Sequence, residues 1–185
     1  SDVCSSDLNE LDFTHHRVLA VTCHRRENYG EPMQNIMHAI LRLVEENPDV
    51  EVVYPVHLSP VVRECAFPIL GSHPRIHLID PIDVEEMHNL MARCFFVLTD
   101  SGGLQEEAPA LGKPVLVMRR ETERPEAIAA GTAKLVGVEQ ETILREANEL
   151  LHSEAAYAKM AKAVNPYGDG HASERIVQAI LWHFG

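Results

Sequence analysis

Three short segments carry residue types that could bind an anion, and each follows an apolar run. The first, TCHRRENYG (Thr22 to Gly30), sets an imidazole (His24), two guanidiniums (Arg25 and Arg26) and a carboxylate (Glu27) directly after Val18-Leu19-Ala20-Val21. Guanidiniums give phosphate charge-assisted, bidentate hydrogen bonds, and a neighbouring carboxylate such as Glu27 can orient one of these arginines. An ordinary polar loop would use the same residues, because surface ion pairs are common and contribute only about 0–1 kcal/mol. The second segment, TDSGGLQEEAPALGKPV (Thr99 to Val115), follows Phe95-Phe96-Val97-Leu98. Gly102 and Gly103 let the backbone approach a ligand closely, and the N–H groups opening the next helix favour negative charge. Such a turn also serves strand-to-helix connections that hold nothing. Glu106 and Glu107, a few residues behind it, are at first sight out of place beside a phosphate seat. The third, RRETERPE (Arg119 to Glu126), follows Val115-Leu116-Val117-Met118; Pro125 suits a first helical turn and sets Arg124 at its mouth, the alternative being a solvated charge run.

Together the three suggest a nucleotide-diphosphate pocket lined by His24, Arg25, the turn from Ser101 to Gly103, and Arg124. The Walker lysine motif and a complete dinucleotide fingerprint are both absent, which disfavours ATP hydrolysis and NAD binding. No metal and no cofactor are expected: the histidines lack ligand spacing, and the four cysteines form no paired motif. His15-His16 reads as exposed loop and His171 as a helix-start residue.

Strand ends in a fixed frame are needed to position these segments. Arg17 to Thr22 reads as a buried strand, Pro32 to Glu46 as a helix on the spacing of Met33, Ile36, Met37, Ile40, Leu41 and Val44, and Asn47-Pro48-Asp49 as its break. A strand over Val50 to Val56 precedes a helix from about Pro60 to Leu70 with Gly71 as its stop. The strand Arg75 to Ile79, the helix Val84 to Arg93 and the strand Cys94 to Thr99 follow. A short helix through Glu106 and Glu107 and the strand Pro114 to Met118 complete the regular part. A weaker strand over Ala133 to Val136, helices near Glu139 to Leu151 and Glu154 to Ala163, a loop at Asn165 to Gly170 and a last helix from Ala172 to about residue 184 end the chain. Apolar strands alternating with amphipathic helices predict an α/β fold, a doubly wound parallel sheet with its ligand crevice at the carboxyl ends of the strands.

The bulk numbers agree with one such domain: 185 residues, 45% hydrophobic, formal net charge −12. That charge argues against nucleic acid or a membrane surface as partner, since both are anionic. Unpaired cysteine spacing and the lack of a spanning apolar run point to the cytoplasm. Ser1 to Leu8 is polar and patternless, and one legitimate back-translation of it matches a common sequencing-adaptor end. Residues 1–8 are therefore expected to be a non-native or disordered tail, with the domain proper over residues 9–185.

Five motifs in order, HRREN (His24 to Asn28), YPVHLSP (Tyr54 to Pro60), TDSGGLQEEAPALGKPV (Thr99 to Val115), TERPEA (Thr122 to Ala127) and NPYGDGHASERI (Asn165 to Ile176), resemble the bacterial non-hydrolysing UDP-N-acetylglucosamine 2-epimerases. The resemblance runs from about Arg17 to the end. It implies the Rossmann-like, UDP-binding C-terminal half of a GT-B architecture, with the last helix crossing toward an N-terminal domain. The reaction implied interconverts UDP-N-acetylglucosamine and UDP-N-acetylmannosamine by elimination of UDP and re-addition, supplying cell-surface polysaccharide synthesis. By the same resemblance Ser101, Gly102 and Gly103 hold the pyrophosphate, His24 (the catalytic assignment) and Arg124 contact UDP near the reacting centre, and Glu107 accepts from the ribose hydroxyls. The backbone near Ile82 reads uracil, with Met87 beside it, and Arg25 and His57 correspond to a second, allosteric nucleotide-sugar site. The proton-moving carboxylates belong to the N-terminal domain, so this half is expected to bind UDP weakly and not to epimerise, and the whole protein to be a homodimer. Arg120-Glu121 before TERPEA and Cys23 before His24 depart from the family's pattern and put only loop details in doubt. Rival readings are a UDP-sugar glycosyltransferase C-terminal domain, a hydrolysing epimerase, or a catalytically silent nucleotide-sugar binding module. A further expectation is that part of the face formed by Ile176, Val177, Ile180, Leu181 and Trp182 is exposed.

Overall fold

The computed structural model describes Leu8, residues 11–168 and residues 170–184. In chain order these fold as β1 (Arg17–Thr22), α1 (Glu31–Glu46), β2 (Val50–Pro55), α2 (Pro60–Leu70), β3 (Ile76–Ile79), α3 (Val84–Arg93), β4 (Val97–Thr99), α4 (Gly102–Ala110) and β5 (Val115–Val117). Then come α5 (Pro125–Ala130), β6 (Ala133–Leu135), α6 (Gln140–His152), α7 (Glu154–Ala161) and α8 (Ala172–Phe184), and a 3-10 turn at Arg26–Asn28 interrupts the loop after β1. The described strands form one sheet in the order β3-β2-β1-β4-β5-β6, every neighbour parallel.

The two-residue side-chain period of a strand explains why β1 is apolar throughout. Leu19 and Val21 face a core with Met33, Ile36 and Ile40 of α1, Val62 of α2 and Ile143 of α6. Val18 and Ala20 face the opposite core, with Leu90 and Met91 of α3, Leu104 and Ala108 of α4, and Ala127 of α5. Both faces of the sheet are covered, so the doubly wound reading holds. Helix starts follow local chemistry. Proline stands in the first turn of α1, α2 and α5, where a missing N–H costs nothing. Asp83 opens α3 with a capping box, accepting from Glu86 N at 2.8 Å while its own N–H donates to Glu86 Oε2 at 3.3 Å.

Three details refine the sequence reading. Residues 1–7 of the expected tail lie outside the described residues, whereas Leu8 is buried in the core on the α3 side, where Leu11 and Phe13 also pack. His15 is exposed and bonded to Asp12, but His16 is not plain exposed loop: it is half-buried against Glu51, whose other oxygen takes His77 Nε2 at 2.9 Å. A carboxylate buried on a central strand needs such partners. Finally, α8 has no buried residue, and Ile176, Val177, Ile180, Leu181 and Trp182 are all exposed, Trp182 at 86%. The apolar face expected to be open is open. Among the described residues no helix is long and apolar enough to cross a membrane.

Candidate functional site

The strand order reverses direction between β1 and β4, and an open parallel sheet forms its crevice at such a point. Their pairing is in register to the last residue, Thr22 opposite Thr99, with the two hydroxyls 2.6 Å apart. The loops leaving both strands therefore start level and side by side.

Asp100, the first residue after β4, binds them together. Its fully buried carboxylate accepts from His24 N at 2.9 Å, Arg25 N at 2.8 Å and Asn28 Nδ2 at 3.2 Å. Its backbone oxygen accepts from Arg25 Nε at 3.2 Å. Asn28, itself buried, also donates to Met118 O at 3.1 Å and so ties in the loop after β5. From below, the buried Tyr54 hydroxyl donates to Cys23 O at 2.6 Å. Sequence reading passed over Asp100, Asn28 and Tyr54. The available signal was an acid ending an apolar run, which must either open to water or collect donors.

The α4 start stands on the same platform. Ser101 N donates to Thr99 Oγ1 at 2.8 Å, and the turn passes straight into helix at Gly102. Buried Gln105 donates to Ser101 O at 3.2 Å and accepts from Thr122 Oγ1 at 2.6 Å. Thr122 Oγ1 in turn accepts from Arg124 N at 3.0 Å. Arg124, the N-cap residue of α5, is thereby fixed to the helix whose start faces the crevice, so the structure brings together His24, Arg25, Ser101, Gly102, Gly103 and Arg124.

The two glutamates of α4 separate. Glu106 pairs with Arg124, while Glu107 faces α3 and lies 2.9 Å from His88 Nε2. Half-buried Met87 precedes that histidine, and half-buried Ile82 lies just beyond β3; both pack against the core on this side of the sheet. His57 stacks on His24 with ring centroids 5.6 Å apart and planes within 14°, and its Nδ1 accepts from Ser59 N at 3.0 Å. Glu27 does not orient either arginine of its own loop. The 3-10 turn delivers it to Arg119, a largely buried guanidinium whose Nε is 2.6 Å away and which also holds Glu123. A cavity of about 240 Å³ opens beside this pair, lined by Glu27, Asn28, Arg119, Arg120 and Glu121. Among the described residues no group of three or more His, Cys, Asp or Glu is arranged to hold a metal ion.

Burial pulls the His24 pKa below its ordinary 6.5, against the opposing pull of Asp100 and with help from His57 and Arg25. At neutral pH the ring is a neutral donor and acceptor. The unfolded chain regains the ordinary value, so between the depressed folded value and 6.5 it binds more protons than the folded one. His24 thus contributes stability that is present above 6.5 and lost as pH falls below it. Replacing His24 with Gln should flatten the fall of the urea midpoint between about pH 7 and pH 5; an unchanged slope would place the dependence elsewhere.

Residues 3–181 match the sequence model of the family described as UDP-N-acetylglucosamine 2-epimerase. The UDP-N-acetylglucosamine 2-epimerase of Bacillus subtilis (strain 168) is 56% identical over 169 residues, which are 91% of this chain and 44% of that protein. Among solved structures, UDP-GlcNAc 2-epimerase from Neisseria meningitidis bound to UDP-GlcNAc superposes with a TM-score of 0.90 at 44% identity, covering 96% of this chain and 48% of that one. An S. aureus MnaA-UDP co-structure superposes with a TM-score of 0.88 at 51% identity, covering 92% of this chain and 47% of that one. The chain spans about half the length of the curated relatives it matches.

Proposed function

The chain belongs to the UDP-N-acetylglucosamine 2-epimerase family, and we propose that it forms the UDP-binding half of an enzyme that interconverts UDP-N-acetylglucosamine and UDP-N-acetylmannosamine. The observation that carries this reading is the Asp100 knot, which holds His24 and Arg25 beside the start of α4 at the reversal of strand order. In the reaction a base removes the C2 proton while the C1–oxygen bond breaks, its electron pair leaving with UDP; an acid then returns a proton to C2 of the resulting glycal on the opposite face while UDP re-forms its bond to C1, so that C2 is inverted. The first-turn N–H groups of α4, with Arg25 and Arg124, suit the charge that gathers on the departing diphosphate. Neutral His24 can donate a hydrogen bond at the same place. Glu107, half-exposed and already beside His88, offers a second oxygen to neutral ribose hydroxyls, where a carboxylate accepts and repels nothing.

The acids around this crevice are engaged: Asp100 by backbone donors, Glu106 by Arg124, Glu27 and Glu123 by Arg119. None of them suits removal of the C2 proton, which fits assigning that step to the other half of the whole protein. Calorimetric titration of the chain with UDP should give weak binding, with Kd on the order of 1 mM (about −4 kcal/mol), and NMR of the mixture with UDP-N-acetylglucosamine should show no C2 inversion. Undetectable UDP binding by the folded chain would sink the assignment of the crevice; inversion by the chain alone would sink the division of labour.

A further inference from the structure

Two basic side chains at the crevice share one acid. Glu123 Oε1 lies 3.1 Å from Arg25 Nη2, and its other oxygen is held by Arg119. The same carboxylate stands against the first residue of α4: a methyl group built on Gly102 would fall 2.6 Å from Glu123 Oε1 and 3.4 Å from Arg25 Nη2. The bare Cα of Gly102 thus leaves room for an internal carboxylate. At Gly103 the corresponding methyl would meet nothing closer than Glu107 Oε1 at 3.4 Å. The carboxylate therefore lies where the helix dipole and a guanidinium both favour negative charge.

We propose that Glu123 is the resident anion of the diphosphate seat, a carboxylate that holds Arg25 beside the α4 start in the ligand-free protein and must be displaced when a diphosphate enters. This rests on reading the crevice as a UDP site and adds to it a built-in competitor that sets affinity. Two negative groups cannot share one guanidinium and one helix start without repulsion. Glu123 is free to yield, because its side chain is 39% exposed and can turn into solvent, leaving buried Arg119 still paired with Glu27. The carboxylate is stabilised in its charged form by its own backbone N–H and by Arg119, so it competes as an anion at neutral pH.

The test is a set of calorimetric titrations of the chain with UDP, inorganic pyrophosphate and uridine, comparing wild type with Glu123→Gln. Gln keeps an oxygen for Arg25 and loses the charge. UDP and pyrophosphate should bind about tenfold more tightly to the variant, a gain of about 1.4 kcal/mol, and uridine should bind equally to both. Glu123→Asp keeps the charge on a shorter stem and should give a smaller gain than Gln, which also keeps the proposal testable if Gln impairs folding. Unchanged or weaker UDP binding to a folded Gln variant overturns it, as does a gain that uridine shares or that Asp matches. If wild type binds no UDP, the reading of the crevice fails; if wild type binds and the Gln variant does not improve, only the resident-anion proposal fails.

Discussion

Replacing Asp100 with Ala is expected to cost about 3–5 kcal/mol of folding stability and to abolish UDP binding together. The carboxylate is fully buried and takes hydrogen bonds from two backbone N–H groups and one side-chain amide, all from the loop after β1. Ala leaves those donors without their acceptor in a site closed to water, at about 1–3 kcal/mol for each group left unsatisfied. Water entering the vacated space and loop relaxation return part of the sum, hence the lower total. Against a typical total of 5–15 kcal/mol this is a large fraction. Urea denaturation should show the midpoint falling with little change in slope. Asp100→Asn keeps the volume but turns one acceptor into a donor facing N–H groups, so it should recover little. A midpoint unchanged in either variant would mean that the knot does not hold the loop.

How much of this was legible in the sequence depends on the range of the interaction concerned. The helix over Pro60–Leu70 and the strand over Arg17–Thr22 have the expected bounds, because the signals that set them, proline in a first turn and a continuous apolar run, lie within a few residues. The strand expected over Cys94 to Thr99 is shorter, beginning at Val97, since Cys94 caps α3 through its N–H to Leu90 O. Asp100 was not legible as an anchor because the partners of its carboxylate lie 72–76 residues earlier, and no local pattern marks that pairing. The charge run from Arg119 to Glu126 shows the same limit from the other side. Arg120 is exposed as a solvated run would be, yet its neighbour Arg119 is largely buried between Glu27 and Glu123. One residue's step along the backbone reverses the direction of the side chain, and composition does not record that. Glu106, to which the sequence reading assigns no ligand role, pairs with Arg124 in the structure.

An Arg124→Ala chain should bind UDP about 10–100-fold more weakly while remaining nearly as stable as wild type. A guanidinium bonded to a phosphate contributes about 1.5–3 kcal/mol as a charge-assisted contact, which is that range of affinity. Stability should hardly move, because Arg124 and Glu106 are each about one-third exposed and such a pair contributes about 0–1 kcal/mol. The loss has two sources that a double-mutant cycle separates. Removing Arg124 deletes an attraction for the diphosphate, and it also leaves the Glu106 carboxylate unpaired near the entering charge. Glu106→Gln in the Arg124→Ala background should therefore restore part of the affinity, whereas Glu106→Gln alone should change it less, since Arg124 remains and is merely released from its partner. Arg124→Lys should restore only a fraction, because an ammonium keeps the charge but not the planar fork. The main chain at this position is fixed independently through Thr122 and Gln105, so α5 should start at the same place in every variant and the affinities report the side chain itself. UDP binding equal to wild type in Arg124→Ala would remove Arg124 from the site, and failure of Glu106→Gln to restore any affinity would remove the electrostatic role given to Glu106.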